Sequence, residues 1–140
     1  MKIAVVESPY RATSAFELAR NLSYARDLCA FMTSIGYSPN ASHLLLTQFL
    51  DDRDPEQRRQ GIEAGLAMRR VADLHVFGID LGYSSGMEDA LEIAKSDNRP
   101  WREVSLPQWA STVASGNPSE LIALIATHQP KWHVHGAISI

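Results

Sequence analysis

The stretch from Leu74-His75-Val76-Phe77-Gly78 through Ser84-Ser85-Gly86-Met87-Glu88-Asp89-Ala90-Leu91-Glu92-Ile93-Ala94 constrains the fold more than any other. It reads as a strand, a short glycine-containing loop and a helix. The unpaired N–H groups and the dipole at the start of such a helix face whatever lies above the strand, which is how an open α/β sheet builds a site for a polar or anionic group. Chemistry is therefore expected near residues 79–92.

The rest of the chain supplies compatible units. Ile3 to Val6 is continuously apolar, as suits a central strand covered on both faces. A helix is expected from about Ser14 to Ile35, with Leu18, Leu22, Ala25, Leu28 and Met32 at helical spacing and Gly36 as its stop. Tyr37 to Ser42 reads as a short second strand, and Leu44-Leu45-Leu46 with Phe49-Leu50 as a hydrophobic loop. Asp54-Pro55 is an N-cap and first-turn pair for a helix ending near Val71. In that helix Ile62, Leu66 and Ala67 are expected inward, and Arg58, Arg59, Arg69 and Arg70 mostly outward. Ala72 to Phe77, a helix from Ser85 to Lys95 and a strand at Trp101 to Val104 complete an alternating pattern. That order predicts an α/β fold with a doubly wound, parallel sheet and a ligand site at the carboxyl ends of the strands. Beyond Leu106 the signals weaken: Asn117-Pro118-Ser119-Glu120 opens a helix over Leu121 to Thr127, and Trp132 to Ile140 reads as a final strand or a tail.

Length and charge exclude several classes. The 140 residues make a single domain, and a formal net charge of -3 offers no general attraction to nucleic acid or to an anionic membrane. No segment approaches a membrane span, and Met1 to Val6 runs straight into Glu7 without a signal-peptide core, so a cytoplasmic protein is expected. Cys29 is the only cysteine, which rules out an intrachain disulfide, and its neighbours Leu28, Ala30 and Phe31 mark it as a buried thiol. There is no phosphate-binding loop, no G-x-G-x-x-G after the first strand and no nucleophile elbow. His133-Val134-His135 lacks a third ligand nearby in sequence, so neither a metal nor a cofactor is expected.

Four polar clusters fall at the expected strand ends. Glu7-Ser8-Pro9-Tyr10-Arg11 offers a hydroxyl, a phenol and a guanidinium for a ribose or phosphate, or else forms a solvated turn. Ser42-His43, Gln48 and Asp51 to Asp54 interrupt an apolar loop, where the aspartates also suit a helix-capping turn. Asp80 to Ser85 can wrap a phosphate or sugar, although its glycines serve a turn equally well. Glu88, Asp89 and Glu92 stand on the first turns of the following helix, where carboxylates also simply complement the dipole.

These residues, taken in order, resemble a family. Ser8-Pro9-Tyr10-Arg11, Asn21 with Tyr24-Ala25-Arg26, Gly36-Tyr37-Ser38-Pro39, Ser42-His43, Gln48-Phe49-Leu50-Asp51-Asp52 and Asp54-Pro55-Glu56 are similar to the nucleoside 2-deoxyribosyltransferase-like proteins of bacteria and phages. Ala72-Asp73 before Val76-Phe77-Gly78, and Ser85-Gly86-Met87 before Ile93-Ala94, extend the likeness over about residues 2–105. The resemblance implies a Rossmann-like (flavodoxin-like) single domain with a mostly parallel sheet, usually oligomeric. Residues 1–105 would form the core, and 106–140 an extension packing on that core or on a partner subunit.

The resemblance also implies a glutamate nucleophile four residues after the loop glycine, and Gly86, Leu91 and Ala94 keep that frame while Ala90 occupies the glutamate position. A methyl group cannot attack an anomeric carbon. The leading expectation is therefore a protein that binds a nucleoside or nucleotide without cleaving it, sequestering or sensing it. The expected contacts are Ser8, Tyr10, Arg11, His43, Gln48, Asp52, Ser84, Ser85, Gly86 and Met87. The alternative is an active N-glycosidase or 2-deoxyribosyltransferase with Glu88 or Glu92 as nucleophile and Asp80 or Asp89 as acid; aligning Gly86-Met87-Glu88 on a Gly-Met-Glu found in some transferases would restore that carboxylate. A third reading is an interaction module in which Trp109, Trp132 and Ile138 bury a subunit interface, and a homo-oligomer is expected in either case.

Overall fold

A computed structural model describes residues 1–126 of the chain. The strands are β1 (Lys2–Glu7), β2 (Tyr37–Asn40), β3 (Leu74–Gly78) and β4 (Trp101–Val104). The helices are α1 (Ala15–Ser34), α2 (Ser42–Leu45), α3 (Pro55–Val71), α4 (Ser85–Ser96), α5 (Pro107–Ser115) and α6 (Pro118–Ala126), with a 3-10 turn at Leu46–Gln48. All strand pairs are parallel, in the order β2-β1-β3-β4. The chain leaves β1 toward β2 on one side and returns past it to β3 on the other, so the topological switch lies between β1 and β3. This is a Rossmann-like, flavodoxin-like α/β domain. Among the described residues no helix is long and apolar enough to cross a membrane.

Alternation along the two central strands sorts the helices into layers. Ala4, Val6 and Val76 point to one face, where they pack with Tyr24, Leu28 and Met32 of α1, Trp109 of α5 and the partly buried Leu121, Leu124 and Ile125 of α6. Glu7, His75 and Phe77 point to the other face. There Arg69 of α3 meets Glu7, and Met87 and Ala90 of α4 pack on Phe77. The helix starts anticipated from sequence are present: Ser14 caps α1, Asp54 with Pro55 caps α3, and Ser84 caps α4.

Several expectations need correction. Leu44 to Gln48 is no loop, because α2 and the 3-10 turn occupy it. Ala72 belongs to the end of α3, so β3 starts at Leu74. On α3 Ile62 is 54% exposed and Ala67 is exposed, whereas Arg69, expected outward, turns inward. Helix α5 was not foreseen. Its Trp109, expected to cover a partner subunit, is fully buried in the chain's own core. Thr127 and the expected segment Trp132 to Ile140, with His133 and His135, lie outside the described residues.

Gly78, at the end of β3, lies directly under the α1 side chains Tyr24 and Leu28. A Cβ there would stand 2.8 Å from Tyr24 Oη and closer still to Leu28 Cδ1. Gly78→Ala is therefore expected to lower stability by about 1–3 kcal/mol through overpacking. The change should appear in urea unfolding as a shifted midpoint with an unchanged slope, and an unshifted midpoint would show that α1 gives way freely.

Candidate functional site

Asn21, buried on α1, donates through Nδ2 to the carbonyls of Tyr10 and Arg11 (3.2 and 3.3 Å) and so fixes the turn that leaves β1. That turn sets the Tyr10 ring edge-on to His43, with ring centres 6.2 Å apart. His43 in turn shares a 2.8 Å hydrogen bond between its Nε2 and Ser8 Oγ. Burial depresses its pKa below the ordinary histidine range, against the pull of Glu7, so the ring is neutral at neutral pH. Next to it the Arg69 Nε donates to Glu7 Oε1 at 2.8 Å.

These groups floor a cleft of about 220 Å3 above the carboxyl end of β1. Leu46 and Leu50 wall it on one side and α3 on the other, with Tyr10, Asp52, Gln57 and Arg58 supplying polar edges. The α3 wall is open because Gly61 and Gly65, one helical turn apart, face it without side chains. A Cβ on either would make only ordinary contacts, 3.5 Å to Leu50 from Gly61 and 3.8 Å to Ser42 from Gly65. The volume lies below the roughly 300–1,000 Å3 of sites for drug-sized ligands and suits a single ring system with a small substituent. Apolar walls with a few convergent polar groups can stack and orient such a ring, and a neutral imidazole at the floor can donate or accept one hydrogen bond.

The structure divides the residues singled out from sequence into two groups. Tyr10, His43 and Asp52 line the cleft, Gln48 lines the shallow groove beside it, and Ser8 lies beneath, bonded to His43. Arg11 is exposed and lines neither of these spaces. No residue of 79–92 lines the cleft. Ser84 is spent on capping α4, Ser85 and Gly86 are exposed, and the Met87 side chain lies in the core against Phe77. Glu88, Asp89 and Glu92 are exposed on α4. Ala90 is buried beside Met87 and Phe77, so a longer side chain at that position would enter this cluster rather than the cleft.

Asp80 is held as a structural junction. Its Oδ2 accepts from the Tyr24 hydroxyl and from the Leu106 N–H, both at 2.8 Å, and its Oδ1 accepts from Ser105 Oγ at 2.6 Å. Burial raises the Tyr24 pKa far above the ordinary phenol value, keeping the donor protonated. The carboxylate thus ties α1 to the loops that follow β3 and β4.

Sequence reasoning missed Arg69, Gly61 and Gly65. The available signal was spacing: Gln57, Gly61, Gly65 and Arg69 recur every four residues and therefore share a face of α3. Among the described residues no cluster of three or more His, Cys, Asp or Glu side chains is arranged to hold a metal. No curated protein and no solved structure matches the chain. A family model, Domain of unknown function (DUF7768), matches residues 2–104, from β1 through β4 and across both walls of the cleft, and the chain belongs to that family.

Proposed function

We propose that the chain binds a nucleoside- or nucleotide-type ligand in the cleft between Tyr10 and the α2–α3 wall and does not cleave its glycosidic bond. The observation that carries this reading is the cleft itself: it opens beside the sheet's switch point, where doubly wound folds seat ligands, with apolar walls sized for one ring system and a neutral histidine at its floor. The resemblance to nucleoside 2-deoxyribosyltransferase-like proteins in the sequence points to the same ligand class. The binding-only form is supported by the exposure of Glu88 and Glu92 away from the cleft and by Ala90 in the core. Arg58 lines the cleft and offers a guanidinium for a phosphate, whereas Arg69 is engaged with Glu7.

A thermal-shift screen over nucleosides and nucleoside monophosphates tests the proposal. A ligand present at 100 times its dissociation constant is expected to add about 2.7 kcal/mol of stability. Gly61→Leu, which fills the cleft from its α3 wall and replaces a poor helix former, should remove that shift without lowering the unliganded melting temperature. Incubation with the same compounds should release no free base above background. Turnover that disappears in Glu88→Gln or Glu92→Gln would overturn the binding-only reading, and a screen without any shift would overturn the ligand class.

A further inference from the structure

We propose, on the reading of the cleft as a nucleoside or nucleotide site, that its ligand is an uncharged ribonucleoside, and that Asp52 selects it by accepting hydrogen bonds from the vicinal 2′- and 3′-hydroxyls. The cleft adjoins a shallow groove of about 550 Å3, and Tyr10, Thr47, Leu50, Asp52 and Gln57 line both spaces. Gln48, Phe49, Asp51 and Arg53 line the groove alone. A ring seated in the cleft therefore carries its substituent out past Asp52 and into the groove.

A full count of the charged groups around the two spaces gives the ligand its charge. Arg69 is held by Glu7, and Arg53 by Asp51, whose Oδ1 accepts from the Arg53 N–H and Nε, both at 3.0 Å, and whose Oδ2 accepts from Nη2 at 3.1 Å. Burial keeps His43 neutral at neutral pH. What remains is one carboxylate, Asp52, and one guanidinium, Arg58, neither bonded through its side chain to any described residue. Their charges cancel, so the site as a whole gains nothing from a net charge on its ligand. Arg58 lines the cleft and not the groove, and its complement there is an acceptor on the ring, such as a carbonyl oxygen. The groove, with two carboxylates to one guanidinium, is net negative and opposes a phosphate. The start of α3 does not offset this, because the N–H groups of Glu56 and Gln57 already donate to Asp54 Oδ1.

The polar groups left open in the groove suit hydroxyls. Gln57 is engaged at both ends of its amide, accepting from the Asp51 N–H at 2.8 Å and donating to Asp54 Oδ2 at 3.2 Å, and Thr47 donates to the His43 carbonyl at 2.8 Å. The Asp52 carboxylate, the Gln48 amide and the Tyr10 hydroxyl bond to no described residue and are open to a ligand. An ionised carboxylate only accepts, and with both oxygens open it takes two adjacent hydroxyls at once. Ribose offers that pair beside the ring. A 2′-deoxyribose offers one hydroxyl of the two, and a phosphate brings further acceptors to an acceptor. Asp52 is exposed, so water serves it in the empty site, and the contrast between ligands is set by how many of its hydrogen bonds the sugar replaces.

The test is calorimetric titration of the full chain with the common ribonucleosides, each beside its 2′-deoxy form and its 5′-monophosphate. The ribonucleoside that binds best is expected to bind roughly tenfold tighter than either counterpart at low salt, the scale of one hydrogen bond to a charged group. The gap to the monophosphate should narrow as salt screens the groove. Asp52→Asn, on an exposed side chain that holds nothing in the fold, should bring the ribonucleoside down to its 2′-deoxy form and strengthen the monophosphate. A 2′-deoxy form or a monophosphate that binds as tightly as the ribonucleoside, or a ribose preference that survives Asp52→Asn, overturns the inference while leaving the cleft a nucleoside or nucleotide site. A preference for the monophosphate that Arg58→Gln abolishes overturns it too, by assigning the phosphate to the cleft. No binding by any of these compounds overturns the reading of the cleft, and the ribonucleoside with it.

Discussion

Arg69→Ala is expected to cost about 3–5 kcal/mol, because it strands the Glu7 carboxylate without its partner. The two side chains are only 9% and 20% exposed, so water cannot replace the guanidinium cheaply. The result is asymmetric. Glu7→Gln keeps an oxygen to accept from Arg69 Nε and leaves the less buried charge, so its cost should be smaller. Replacing both partners by Leu and Met should recover much of the loss, since a buried pair is weak evidence for net stability. Urea unfolding of the two single variants and the double variant closes the cycle. If Arg69→Ala lost under 1 kcal/mol, Glu7 would have to be solvated in the native state. The same cycle bears on function, because this pair and the Ser8–His43 bond form the floor on which the cleft stands.

That ion pair also marks where the sequence stopped being legible. Strand β1, the helix caps and the parallel order could be read because each rests on local rules: an apolar run buried on both faces, a Ser or Asp cap, a glycine stop. The inner face of α3 breaks the rule that apolar side chains turn inward. Ile62 is left largely exposed at the cleft rather than packed in the core, and Gly61, Gly65 and Arg69 line the same cleft, because the fold keeps an open space there. Glycines carry no hydrophobic signal, and a buried arginine becomes intelligible only once its partner 62 residues away is known.

The candidate site was legible in part for the same reason. Tyr10, His43 and Asp52 sit at the ends of elements whose order could be inferred, and the chain brings them together. The loop after β3 promised a ligand site from its glycines and serines, but those residues are engaged in building the turn. Ser84 caps α4, Tyr83 stacks on Phe77 and donates its hydroxyl to Glu103, and Asp80 joins three elements. Helix α2 escaped notice because Leu44-Leu45-Leu46 has no period to read over only four residues and its N-cap, Ala41, makes no side-chain hydrogen bond.

Trp109→Ala is the substitution expected to rival Arg69→Ala, at about 3–5 kcal/mol. The indole is fully buried among residues of β1, β3 and α1, meets the Tyr24 ring edge-on with centres 5.0 Å apart, and donates from Nε1 to Asp27 Oδ2 at 2.6 Å. Trp109→Phe separates the two contributions, since it keeps most of the apolar volume and loses the hydrogen bond to a carboxylate; its cost should fall near 1.5–3 kcal/mol. Because Trp109 also backs Tyr24, whose hydroxyl holds Asp80, the alanine variant should loosen the loops after β3 and β4 and speed their amide exchange before the rest of the sheet. The segment after β4 therefore completes this chain's own core. Truncation after Pro107 removes Trp109 and all of α6, and the expected product is an unfolded chain with a lost thermal transition. A truncated protein that melted cooperatively as a smaller folded species would instead place Trp109 at a dispensable interface.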